Sequence, residues 1–125
     1  MAATRLTRAS IFVVEDEVMI RMMITDMLNE LGHTVAAEAG DLDEAITLAR
    51  STDFDLAILD VNLNGKLITP VADVLKARSR PFIFSTSYGS SGVPEEYHER
   101  PAIHKPFQIE KLGTVIETAM RAAFG

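Results

Sequence analysis

Five side chains in this sequence have the types and spacing to do chemistry together: Glu15, Asp16, Asp60, Thr86 and Lys105. Each stands at the end of a short apolar run: Glu15-Asp16 after Ile11–Val14, Asp60 after Leu56–Leu59, Thr86 after Phe82-Ile83-Phe84-Ser85, and Lys105 after Pro101-Ala102-Ile103-His104. Three crowded carboxylates raise one another's pKa unless a cation joins them. An all-oxygen donor set with room for water suits Mg²⁺. A carboxylate in such a group can attack phosphorus and become an acyl phosphate. Lys105 can then pair with a phosphoryl oxygen as a point charge, and the Thr86 hydroxyl can donate to another.

Each residue also has a plainer reading. Asp16 can cap a helix starting at Glu17, Asp60 can open a turn through Val61-Asn62-Leu63-Asn64-Gly65, Thr86 can be a satisfied loop hydroxyl, and Lys105 a solvated charge. What favours the chemical reading is the set: in open α/β sheets ligands gather beyond the carboxyl ends of the strands, where the strand order reverses.

The elements that must position these residues follow from the pattern. Ile11–Val14, Leu56–Leu59 and Phe82–Phe84 do not alternate polar with apolar, so each predicts a strand buried on both faces. Thr34–Ala37 predicts an edge strand, and Pro101–Ile103 a short fifth. Between them Ile20, Ile24, Met27 and Leu31 recur at helical spacing over Glu17–Leu31, with Gly32 as C-cap. Asp41 is the expected N-cap of a helix through Arg50, and Thr69 then Pro70 the expected cap and first turn of one through Arg78. A last helix runs from about Ile109. Strand and helix alternate five times, which predicts a doubly wound α/β domain with a five-stranded parallel sheet in the order 2-1-3-4-5. In that order the strands before Glu15-Asp16 and Asp60 are neighbours. Ser85 to Arg100 has loop composition, with room for one short helix at Val93–His98.

Size and composition agree. The 125 residues suit one compact domain, 47% are hydrophobic and 24% charged, and the net charge of −6 with no Lys/Arg cluster disfavours nucleic acid. Cysteine is absent, which excludes disulfides, thiolate metal sites and cysteine nucleophiles. Arg5 and Arg8 precede an apolar run too short for a signal sequence or membrane span, so a cytoplasmic location is expected.

Read as an ordered set, Val13-Val14-Glu15-Asp16-Glu17, Leu56-Ala57-Ile58-Leu59-Asp60, Thr86 and His104-Lys105-Pro106-Phe107 resemble the receiver domains of two-component response regulators, from Ile11 to about Met120. The resemblance implies a flavodoxin-like fold, an Asp60 that takes phosphate from a histidine kinase, Mg²⁺ held by Glu15, Asp16, Asp60 and the Asn62 carbonyl, and a cis bond before Pro106. Pro81-Phe82-Ile83-Phe84-Ser85-Thr86-Ser87-Tyr88 further resembles a subfamily with the motif Pro-Phe-x-Phe-Ala-Thr-Gly followed by Gly or Tyr, with Ser85 and Ser87 in place of Ala and Gly. Members are mostly stand-alone receivers that work with HWE-type or related kinases in stress signalling. By that likeness the chain is one receiver over 1–125 with no output domain, a phosphoacceptor rather than an enzyme, a monomer or weak dimer, signalling by protein contact or draining phosphate from a kinase.

Two departures stand out. Ala102 occupies the position three before the lysine where receivers carry an aromatic switch residue, and the stretch between Thr86 and Lys105 is short enough to question a fourth helix. Tyr88 on the Ser/Gly loop is then either a substitute reporter that moves as the loop orders on phosphorylation, or a ring packed on the surface in both states. Three rivals fit less well. A haloacid dehalogenase-type phosphatase needs an Asp two residues after its nucleophile, where Asn62 stands. A flavodoxin-like cofactor binder needs a Ser/Thr/Gly loop after its first strand, and a DNA-binding regulator needs an output domain.

Overall fold

The computed structural model describes residues 8–87 and 92–124. A five-stranded sheet is built from β1 (Ser10–Val14), β2 (Thr34–Ala39), β3 (Leu56–Asp60), β6 (Phe82–Thr86) and β7 (Ala102–His104), in the order β2-β1-β3-β6-β7 with every pair parallel. This is the flavodoxin-like order expected from the sequence. The helices are α1 (Val18–Glu30), α2 (Leu42–Ser51), α3 (Thr69–Ala77) and α4 (Ile109–Phe124). No helix among the described residues is long and apolar enough to cross a membrane.

The apolar runs read continuously because their strands feed two cores at once. Phe12, Val14, Ala57, Leu59, Phe82 and Phe84 point to the face covered by α2 and α3. Ile11, Val13, Leu56, Ile58 and Ile83 point to the face covered by α1 and α4, where they meet Ile24, Leu28, Leu112 and Ile116. The edge strand β2 is half-exposed, and its register slips by one residue between Ile11↔Val35 and Phe12↔Ala37.

Several boundaries differ from expectation. β6 includes Ser85 and Thr86, because they pair with Ile103 and His104 and so complete the ladder that loop-like composition disguised. Thr69 is not a cap: α3 begins at Thr69 itself, Ile68 precedes it as N-cap, and Pro70 falls in the first turn, where its missing N–H is harmless. In α1 Glu17 and Leu31 are the caps, with Gly32 one residue beyond. Asp41 does cap α2, accepting from the Glu44 amide at 2.8 Å.

A two-stranded hairpin, β4 (Asn62–Leu63) and β5 (Lys66–Leu67), was not anticipated. Its two turn residues, Asn64 and Gly65, have φ of 53° and 84°, the left-handed pair a tight hairpin demands. Between β6 and β7 the described residues include a 3₁₀ turn, Glu95–Tyr97, and no α-helix. Val93 and Tyr97 are buried there against the α3 side of the core. The Tyr97 ring packs edge-on to Phe82 at 5.4 Å and tilted to Phe84 at 6.1 Å, and its hydroxyl donates to Asp73 of α3 at 2.5 Å. Tyr88 lies outside the described residues.

Candidate functional site

Parallel pairing brings the ends of β1 and β3 together, with Val14 beside Leu59, so Glu15-Asp16 and Asp60 emerge side by side. One oxygen from each of the three carboxylates lies within 4.8 Å of the others. Strand parity sends Glu15 and Asp60 to the α1/α4 face, the face that Val13 and Ile58 also serve. Glu15 is fully buried and Asp60 nearly so.

Each carboxylate is held by a backbone amide. Glu17 N–H donates to Glu15 Oε2 at 3.1 Å, Asn62 N–H to Asp60 Oδ1 at 3.2 Å, and Asn64 N–H to Asp16 Oδ2 at 2.9 Å. The third bond is the purpose of the Asn64-Gly65 turn: it aims an amide across the cleft at Asp16. Asn62 Oδ1 accepts from Gly65 N–H at 2.8 Å, which closes the turn on itself.

Lys105 enters from the end of β7. Its amide donates to the Thr86 carbonyl at 2.8 Å, and the peptide to Pro106 is cis, as the resemblance implied. Its ammonium donates to Asp60 Oδ2 at 3.1 Å and lies 2.8 Å from Glu15 Oε1, the latter a close ionic contact rather than an aligned hydrogen bond. The Lys105 ammonium therefore pairs with two of the three clustered carboxylates, Glu15 and Asp60. Burial pushes Glu15 up to about 7 against the opposing pull of Lys105, with the Asp60 charge adding to the rise. Burial also raises Asp60, again opposed by Lys105. Burial disfavours the charged Lys105, yet Glu15 and Asp60 outweigh it and carry its pKa above the ordinary lysine value. Asp16 feels burial too, but the Asn64 amide and hydrogen bonding with Glu15 and Asp60 hold it below the usual aspartate value. The excess negative charge and the oxygen-only donors fit a hard divalent cation.

The site opens through a cleft of about 240 Å³ lined by Asp16, Glu17, Asp60, Val61, Asn62, Ser87 and Lys105. Of the residues singled out from sequence, Asp16, Asp60, Asn62 and Lys105 line it, while Glu15 lies beneath. Thr86 reaches the right strand end, but its side chain is buried and does not line the cleft. Beside the cleft, and sharing Ser87 and Lys105 with it, is an apolar hollow of about 230 Å³ formed with Ile20, Met23, Pro106 and Phe107. Val18, Met19 and Met22 extend that apolar surface along α1, Met19 being 82% exposed. Sequence reading missed Asn64 and this face. The Asn-Gly pair between Leu63 and Leu67 signalled the former, and the exposed methionines interrupt an otherwise ordinary amphipathic helix.

Comparison with known proteins agrees with the geometry. The family model described as "Response regulator receiver domain" matches residues 11–117. The chain is 32% identical over 114 residues to the transcriptional regulatory protein PdtaR of Mycobacterium tuberculosis, a match covering 88% of this chain and 56% of that protein. It thus spans about half the length of the curated relatives it matches. The solution structure of SdrG from Sphingomonas melonis Fr1 superposes with a TM-score of 0.77 at 34% identity, covering 94% of this chain and 98% of that one. The anti-anti-sigma factor PhyR from Bartonella quintana gives 0.82 at 26% identity, covering 94% and 49%. With β1, β3 and β7 delivering an acidic cluster and a lysine to one sheet end, this chain belongs to the response-regulator receiver family, whose relatives include two-component response regulators.

Proposed function

We propose that Asp60 is the phosphoacceptor and that Glu15, Asp16, Asp60 and the Asn62 carbonyl form the Mg²⁺ site. The observation that carries this is the cluster of three carboxylates, two of them ion-paired to one lysine, at the ends of β1, β3 and β7. Mg²⁺ there would offset negative charge as the phosphoryl group arrives. The Asp60 carboxylate forms a bond to phosphorus as the bond to the kinase histidine nitrogen breaks, and the released imidazole takes a proton from solvent. Lys105 then turns from Asp60 to a phosphoryl oxygen, and Thr86 supplies a hydroxyl donor once it faces the cleft. The activity is phosphoacceptance with self-catalysed transfer and hydrolysis, not turnover of an external substrate.

The donor we assign is a sensor histidine kinase of HWE or related type in the cytoplasm, seated on the Val18, Met19 and Met22 face of α1 and its adjoining hollow. Exposed methionines adapt to a partner's apolar helix surface. Output passes to a protein, as the description of PhyR as an anti-anti-sigma factor suggests, or the domain drains phosphate from its kinase; a monomer or weak dimer serves either role.

With acetyl phosphate and Mg²⁺ the protein should gain one base-labile phosphoryl group, and Asp60→Asn should abolish it. Labelling of that variant at the wild-type level would refute the assignment. Met19→Glu should slow labelling by a kinase and leave labelling by acetyl phosphate intact; equal slowing of both would remove the docking face from the reading.

A further inference from the structure

The acidic turn after β1 is clamped from outside by a residue that touches none of the reacting atoms. Arg21 lies in the first turn of α1, and helix side chains lean toward the N-terminus, which carries it back over residues 15–17. Its Nη1 donates to the Glu15 carbonyl at 2.7 Å, and its Nε lies 3.3 Å from Glu38 Oε1. The Glu15 amide donates to the Ala39 carbonyl at 3.0 Å. Both backbone groups of Glu15 are thus fixed, one by β2 and one by Arg21. Because the Glu15–Asp16 peptide is planar, fixing the Glu15 carbonyl also fixes the Asp16 N–Cα bond from which that side chain branches.

Two other features serve the same contact. The register slip in β2 turns Glu38 to pair with Val13, whose side of the sheet α1 covers; uninterrupted alternation from Val35 would send Glu38 the other way. Gly40 leaves room for the guanidinium: a Cβ there would stand 2.6 Å from Arg21 Nη1. No positive φ requires glycine at 40, so close approach is the reason for it.

We infer that Arg21, seated against Gly40 and oriented by Glu38, is a positioning residue that sets the Glu15–Asp16 peptide and thereby the carboxylate geometry for Mg²⁺. This rests on the metal reading of the site given above. The half-exposed pair with Glu38 contributes little energy by itself. Its role is orientation.

The test is a double-mutant cycle on the whole chain, with Mg²⁺ titrated calorimetrically and by its effect on the rate of acetyl phosphate labelling. Arg21→Ala should weaken Mg²⁺ about tenfold, the usual scale for losing an outer partner of a metal ligand. The labelling rate at saturating Mg²⁺ should stay close to wild type, a split that general loss of structure would not give. Arg21→Lys should recover part of the affinity, since an ammonium reaches the carbonyl but cannot fork to Glu38. Gly40→Ala collides only with the mobile end of Arg21, so it should weaken Mg²⁺ similarly while leaving thermal stability nearly unchanged. In the Arg21→Ala background it should do nothing more. Unchanged Mg²⁺ affinity in Arg21→Ala, or equal damage by Gly40→Ala in both backgrounds, would overturn the clamp. If wild type takes no Mg²⁺, the metal reading fails and the clamp with it; if wild type binds and Arg21→Ala binds equally, the clamp alone fails.

Discussion

The acidic half of the site and the segment between β6 and β7 are held by opposite means. Glu15, Asp16 and Asp60 each accept a backbone amide from within two residues or from the β4–β5 turn, so main-chain donors fix them. The described part of the β6–β7 connection includes a 3₁₀ turn at Glu95–Tyr97, and it is anchored through side chains: Val93 and Tyr97 in the core, and the Tyr97 hydroxyl on Asp73. The Tyr97 ring rests on Phe84, two residues before Thr86 and opposite Ala102 in the register. A ring thus stands beside the strand that Ala102 leaves bare, delivered from the connection. The contrast teaches that the acidic side chains are set by backbone amides, whereas residues 92–100 are anchored by packing that Tyr97 dominates.

Removing that residue should have the largest effect. Tyr97→Ala should lower stability by about 3–5 kcal/mol, the usual loss for a buried aromatic. Amide exchange should rise through 92–100 with little change at 60–64. Uniform loosening of both regions would erase the distinction. Tyr97→Phe keeps the ring and forfeits only the Asp73 bond, so urea denaturation should show a loss of about 1 kcal/mol.

The backbone-held half is probed at Gly65, whose φ of 84° an L side chain adopts only with strain. Gly65→Ala should cost about 1–2 kcal/mol. It should also weaken Mg²⁺ by disturbing the Asn64 amide on Asp16, with exchange at 92–100 unaffected.

A pH slope tests the acidic half without touching its hydrogen bonds. Glu15 sits at about 7 in the folded protein against an ordinary 4.5, so the metal-free fold holds a proton that the unfolded chain releases over that window. Stability in chelator should therefore fall as pH rises from about 4.5 to 7, the reverse of a salt-bridged carboxylate with a depressed pKa. Glu15→Gln should flatten the slope, leaving the share that Asp60 contributes with the same sign. A slope as steep in Glu15→Gln as in wild type would shift the burden to other groups.

These two regions were not equally legible in the sequence. Runs such as Ile11–Val14 and Leu56–Leu59 announce strands buried on both faces, and strand order then brings Glu15, Asp16 and Asp60 together with no further information. Lys105 follows from its place after β7. Thr69 misled because Thr-Pro reads equally as cap-then-N1 or as the first two helical residues, and Ile68, with no capping side chain, gave no sign. Tyr97 was hidden because a lone aromatic in a polar stretch has no periodicity to mark it as core. Arg21 was hidden because its partners at 15, 38 and 40 come together only through a bulge in β2, which no pattern in Thr34–Ala39 reveals.

The site's contacts are long in sequence: Lys105 meets Asp60 across 45 residues, and Asn64 meets Asp16 across 48. During synthesis, then, the carboxylates of residues 15, 16 and 60 are all made well before the lysine that faces them. Until β7 has paired with β6, a growing chain that has formed β1 and β3 carries three adjacent acids without the ammonium that pairs with two of them, and like charges so placed repel. Pairing of β7 with β6 is what carries Lys105 against Glu15 and Asp60 and offsets that charge.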